Sequence, residues 1–149
     1  MADIEASIFM RISGSSDLHK HIGAGSASRV YQGRLPPGCE YPALRSNLLA
    51  QESAGTHLGG NTGETRSTWQ FDCYAETAKE RRDMKNALIK TMIGQDNGRG
   101  DWAGIQVHEV VLEDVAHEPY MPDHAGSSEG TLSTSVTMGI HHEEPSLVW

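Results

Sequence analysis

The sequence predicts an α+β domain: a single antiparallel β-sheet with an N-terminal helix and one long helix packed on one of its faces. Three observations predict it. Trp69, Phe71, Cys73 and Ala75 alternate with Thr68, Gln70, Asp72 and Tyr74, the period of a strand with one buried face. Thr77 then stands three residues before Glu80, the spacing of a capping box, and Met84, Ala87, Leu88, Ile89 and Met92 recur at helical intervals beyond it. Further on, Leu132, Thr134, Val136, Met138 and Ile140 alternate with Thr131, Ser133, Ser135, Thr137 and Gly139, a second one-sided strand.

The remaining elements follow in chain order. Ile4, Ile8 and Ile12 form a helical stripe over residues 3–13, although the same stretch also alternates; the Ser-Gly-Ser-Ser break after it favours helix. Ser16 and Asp17 can cap a short turn reaching Ile22, ended by Gly23-Ala-Gly25-Ser. Arg29-Val-Tyr31 reads as a short strand and Leu35-Pro-Pro-Gly38 as a turn, since its prolines forbid helix. A strand is expected from Tyr41 to Ala50, with Pro42 near its start. Glycines 55, 59, 60 and 63 make residues 53–64 a mobile hairpin loop. The strand at 65–75 and the helix at 77–93 come next, with Gly94 as the cap, and 94–104 forms a second glycine-rich loop. In the strand from Ile105 to Val115 the apolar positions change parity between Val107 and Val110, which indicates a bulge. Residues 116–130 form a third, acidic loop before the last strand, and 143–149 form a tail.

At 149 residues the chain, 1–149, is expected to be one domain with a core of its own. There is no run of 18 apolar residues, so no membrane-spanning helix is expected, and the start lacks the order of a secretory signal. Of the two cysteines, Cys73 falls on an apolar strand face, where a reduced packed thiol is the simpler reading, and a cytoplasmic origin fits. The net charge of −8 is unevenly spread. Residues 1–92 hold 11 Lys/Arg against 10 Asp/Glu, whereas residues 93–149 hold only Arg99 against 10 acidic residues. Broad nucleic-acid binding needs a concentrated basic surface, which this division does not offer.

Most candidate sites fail on spacing. His19 and His21 point to opposite sides of a helix, and His141-His142 to opposite faces of a strand. His117 and His124 could converge across a loop, yet without the spacing of a known zinc or iron site. Gly23-Ala-Gly25-Ser-Ala-Ser is not placed between strand and helix as a phosphate loop requires, and Arg99-Gly-Asp101 is explained by the composition of its turn. No Gly-x-Ser-x-Gly exists, and neither cysteine has an activating histidine nearby in sequence, so enzymatic activity, cofactor and metal are all unexpected. One anomaly remains. Arg81 and Lys85 project into the apolar half of the long helix, beside Arg82, either as snorkelling side chains or as an end of the helix that meets an acidic partner.

Two blocks carry a resemblance. Arg29-Val-Tyr-Gln-Gly-Arg-Leu-Pro-Pro-Gly-Cys-Glu-Tyr-Pro-Ala-Leu-Arg45, followed by a glycine-rich loop, leads into an aromatic strand, Ala75-Glu-Thr-Ala-Lys-Glu80 and the long helix. This order, completed by strands after an acidic loop, resembles the tail-completion proteins of tailed phages from about Ile4 to His142. The resemblance implies a non-enzymatic virion protein of the tail and neck, assembled in the host cytoplasm as a six-fold ring. Such a ring terminates the tail tube and joins it to the head connector, with DNA passing through the lumen without specific binding. Alternatives are a head-closure (stopper) protein of the same neck and a small cytoplasmic metal-binding module. A ring closes through head-to-tail contacts between unlike patches. Arg81, Lys85 and, less directly, Arg82 are therefore expected at a subunit contact, with Glu109, Glu113 and Asp114 as partners by position.

Overall fold

A computed structural model of the chain describes residues 3–23, 28–38, 40–53, 56–57, 60–61, 64–94, 96–117, 121–122 and 130–143. Helix α1 (Ile4–Ser13) starts where Asp3 accepts the Ala6 N–H at 2.7 Å, and it buries Ile4, Ile8 and Ile12. The short turn expected after it is a second helix, α2 (Ser16–Ile22), capped by Ser15 rather than Ser16. Helix α3 (Ala78–Met92) begins as its capping sequence requires, with Thr77 Oγ1 accepting the Glu80 N–H at 3.2 Å. It buries Met84, Ala87, Leu88 and Met92, and Gly94 follows its end at φ +57°.

The strands are β1 (Val30–Gln32), β2 (Ala43–Ser53), β3 (Thr56–His57), β4 (Gly60–Asn61), β5 (Glu64–Ala75), β6 (Gly100–Trp102), β7 (Ile105–His117), β8 (Met121–Pro122) and β9 (Gly130–Glu143). The main sheet runs β1-β2-β5-β9-β7-β6, with β8 also paired to β9, while β3 and β4 form a separate small hairpin. The sheet is mixed, not purely antiparallel: β1 lies parallel to β2, and the other pairs are antiparallel. The three-residue β1 is followed by a stretch with Pro36, Pro37 and Pro42 that carries the chain back to re-enter in the same direction.

Rows across the sheet define its inner face. Trp69 lies beside Met138, Phe71 beside Val136 and Cys73 beside Thr134, all fully or almost fully buried. The buried side chains of α1, α2 and α3 join this row in one hydrophobic core. Burial pushes the Cys73 thiol up to about 12, helped by the neighbouring Asp72 carboxylate and opposed by Lys85.

Two expected loops contain strand in their described parts. Within 94–104, β6 pairs with β7, and Trp102 is buried with its indole N–H donated to the Gly98 carbonyl at 2.9 Å. Gly98 has φ +77°, and a Cβ there would stand 2.4 Å from Val110. The Arg11 guanidinium lies 4.2 Å from the Trp102 ring centre and donates to the Thr91 carbonyl at 3.0 Å, tying α1 to β6 and α3; burial draws its pKa down. Within 116–130, β7 continues to His117 and β8 pairs with the start of β9. Of the hairpin over 53–64, the described parts are β3, β4 and the ends of β2 and β5; the tail is described only at Glu143.

Candidate functional site

The face of the sheet opposite the core is polar, and its centre is a buried carboxylate. Asp72 faces away from Phe71 and Cys73, as strand alternation requires, yet is only 2% exposed. Its cover comes from three strands. Arg45 on β2 donates Nε to Asp72 Oδ2 at 2.9 Å and donates Nη2 to the same oxygen. Ser135 on β9 donates to Oδ1 at 2.6 Å, and Gln70 on β5 donates to it at 2.9 Å. The Tyr74 ring lies 6.0 Å from the Arg45 guanidinium carbon, and Tyr41 packs against Tyr74 with 6.4 Å between ring centres. Burial alone would lower the Arg45 pKa, but its bond to Asp72 and the charges of Tyr74 and Asp72 leave it raised.

A second ion pair crosses the same face. Arg66 on β5 donates to Glu113 on β7, and both side chains lie over Gly139 of the intervening β9. A Cβ at Gly139 would come within 3.0 Å of the Glu113 carboxylate, so the glycine leaves room for the pair to lie flat. These groups can fix strand register and present a polar surface. They form no nucleophile–base pair, and among the described residues no three of His, Cys, Asp and Glu gather to hold a metal. His117 Nδ1 instead lies 3.0 Å from Thr134 Oγ1, and His124 is outside the described residues. An open cleft between α2 and α3 is lined by Lys20, His21, Lys79 and Lys90, but Lys79 is paired with Asp83 at 3.7 Å and Lys90 with Asp17 at 3.3 Å.

The charged residues singled out in the sequence occupy two separate places. Arg81 and Lys85 are half-buried and Arg82 is exposed on α3, the helix against the inner face. Glu109 and Asp114 are exposed on β7, opposite His141 and Thr137, the outward-facing positions of β9. Glu113 already has a partner in Arg66. The chain therefore keeps the helix cations and the strand anions on opposite sides of the sheet.

Sequence reasoning missed Arg45, Arg66 and Ser135, because their partners are separated from them by 27, 47 and 63 residues. The one available signal was Asp72 itself, a lone charge on the polar side of an otherwise uncharged strand core. It also missed the sheet edges. Among the described residues five large hydrophobic side chains are exposed, and four of them lie on the flanking strands: Leu48 and Leu49 on β2, and Val111 and Leu112 on β7.

No family model matches the chain, and no curated protein matches it. Solved structures do share its fold. A chain from the virion of a native gene transfer agent particle is similar over 94% of this chain and 94% of its own length, with a TM-score of 0.64 at 10% identity. A second solved structure is similar over 94% of this chain and 93% of its own, with a TM-score of 0.52 at 12% identity. At these identities the likeness is one of fold, and it covers nearly the whole chain rather than a local motif.

Proposed function

We propose that this chain is a non-enzymatic structural protein of a phage-type virion, which forms a six-fold ring at the head-proximal end of the tail. There it terminates the tail tube and presents a docking surface to the head connector, with DNA passing through the lumen unbound. The observation that carries this reading is the end-to-end likeness to a chain of a gene transfer agent virion, a phage-like particle, at nearly equal length. The sequence blocks around Arg29–Arg45 and Trp69–Met92 support the same reading independently of the fold.

A ring of identical subunits contacts itself through two unlike patches. The separation of Arg81, Arg82 and Lys85 from Glu109 and Asp114 suits that geometry, because groups on opposite sides of one subunit can meet only between copies. Changing Arg81 and Lys85 to Glu together is expected to leave the far-ultraviolet circular dichroism unchanged while raising the concentration needed for rings in light scattering. Rings at the wild-type concentration would remove these residues from the contact.

The role itself is tested by disrupting the gene in a particle-producing strain and imaging the lysate. Tails of irregular length, separate from filled heads, are the expected outcome. Heads that lose their DNA would instead indicate head closure, and normal infectious particles would overturn a virion role.

A further inference from the structure

The two flanks of the sheet are open at the same height. On β2, pairing with β1 stops at Ser46, whose carbonyl also accepts from Gly33 N–H at 2.8 Å. On β7, pairing with β6 stops at Val107, and the Asn97 carbonyl takes the Val110 N–H at 2.7 Å. Beyond these points, among the described residues, no strand covers the outer side of β2 or of β7. The stretch open on both flanks is 47–50 on β2 and 111–114 on β7. Following the register through the two central strands, Leu48 is level with Trp69, Trp69 with Met138, and Met138 with Leu112. Both stretches also carry a bulge, between Leu48 and Ala50 on one side and between Leu112 and Asp114 on the other.

We infer that these edges are the two halves of one contact, in which β7 of one copy of this chain pairs with β2 of the next; this rests on the ring reading above. Three observations select a second copy in this orientation. Within the sheet β2 and β7 run in opposite directions, three antiparallel steps apart, so rotation about an axis along the strands brings them together as an antiparallel pair. Leu112 of one copy then meets Leu48 of the next in the same row, burying two exposed leucines that are a liability on an uncovered edge. A two-fold pairing of β7 with itself centred between Glu113 and Asp114 would instead set these two like charges opposite each other, which destabilises a ladder. The facing stretch Asn47-Leu-Leu-Ala50 has no charge. The matching bulges make each edge a poor partner for a regular strand, and β1 and β6, at opposite ends of the two flanks, limit the shared ladder to the open rows.

Cysteine cross-linking of the full chain tests this contact, in a Cys39→Ser background where Cys73 is buried. Leu48→Cys and Leu112→Cys chains are prepared singly, distinguished by a mass tag, mixed under assembly conditions and oxidised. The expected product is the mixed 48–112 dimer, with self-linked 48–48 and 112–112 dimers rare. In parallel, Leu112→Lys is expected to raise the concentration needed for rings at least ~10-fold while leaving the circular dichroism of the monomer unchanged. Amide exchange at residues 111–114 should slow on assembly, a readout that requires no substitution. Rings that form without the mixed cross-link and without slowed exchange overturn the edge contact but leave the ring reading standing. Self-linked dimers as the main product overturn the head-to-tail orientation. A wild-type chain that stays monomeric at all concentrations overturns both.

Discussion

The two faces of the central sheet are held by different kinds of interaction. On the inner face, Trp69, Phe71, Val136 and Met138 sit in adjacent rows under the helices, and their contribution is close packing and burial. On the outer face, a single carboxylate, Asp72, gathers donors from β2, β5 and β9, and a second pair, Arg66 with Glu113, spans β5 to β7 across β9. Apolar packing on the first face is non-directional and tolerates small shifts. The polar bonds on the second are directional, so they resist a slip of register that would leave a buried charge without partners. The inner face thus supplies stability and the outer face supplies alignment.

This division can be broken by substitutions of graded effect. The largest is expected at Trp69→Ala, which removes a fully buried tryptophan from the centre of the inner face and should cost ~3–5 kcal/mol in denaturant unfolding. A cost near that of an outer-face change would end the distinction. Next comes Asp72→Ala, expected to cost ~1–3 kcal/mol because Arg45, Gln70 and Ser135 lose a shared acceptor. If alignment is its main contribution, this variant should also speed amide exchange along β2 more than Trp69→Ala does at matched stability. Arg66→Ala should cost at most ~1 kcal/mol, since the pair is partly exposed at 40% and 26%, and the difference should shrink in high salt.

The smallest effect at neutral pH belongs to Cys73. In a Cys39→Ser chain its thiol should resist alkylation at pH 8 until the protein unfolds, because burial holds the thiol form. The sign follows from the raised value: the unfolded chain releases this proton near 9.0 while the folded chain keeps it to about 12. Stability should therefore be unaffected below the first value and fall as pH climbs from one to the other. Fast labelling of the folded chain at pH 8 would show an inner face open to solvent.

The features legible in the sequence are those encoded by near neighbours. Alternation located β5 and β9 to within three residues at either end, the Thr77–Glu80 spacing located the start of α3, and the parity change between Val107 and Val110 located a real bulge. The second bulge, between Leu112 and Asp114, was hidden because its flanking residues are exposed and carry no apolar rhythm. Composition misled at 94–104: glycines suggested an open loop, whereas Gly98 is required by the close approach of Val110. The span of α2 was marked locally by its serine cap and Gly23, but the parallel placement of β1 depended on where the chain returns in space, which no local pattern states. Of the candidate contact residues, the half-buried state of Arg81 and Lys85 follows from their position on the wheel. The pairing of Glu113 with Arg66 does not, since 47 residues separate the two.

The position of β9 has a consequence for how the protein is made. This strand is the last described element, yet it lies in the middle of the sheet, between β5 and β7. While a ribosome is still synthesising residues before 130, β5 and β7 have no common neighbour, and the row containing Trp69 and Phe71 lacks Met138 and Val136. A nascent chain at that stage holds two unfinished half-sheets with apolar side chains facing water, the condition under which chaperones engage. Folding of the sheet is thus postponed until β9 leaves the exit tunnel, and a stalled or truncated product ending before β9 should be cleared by proteolysis rather than accumulate as a partial fold.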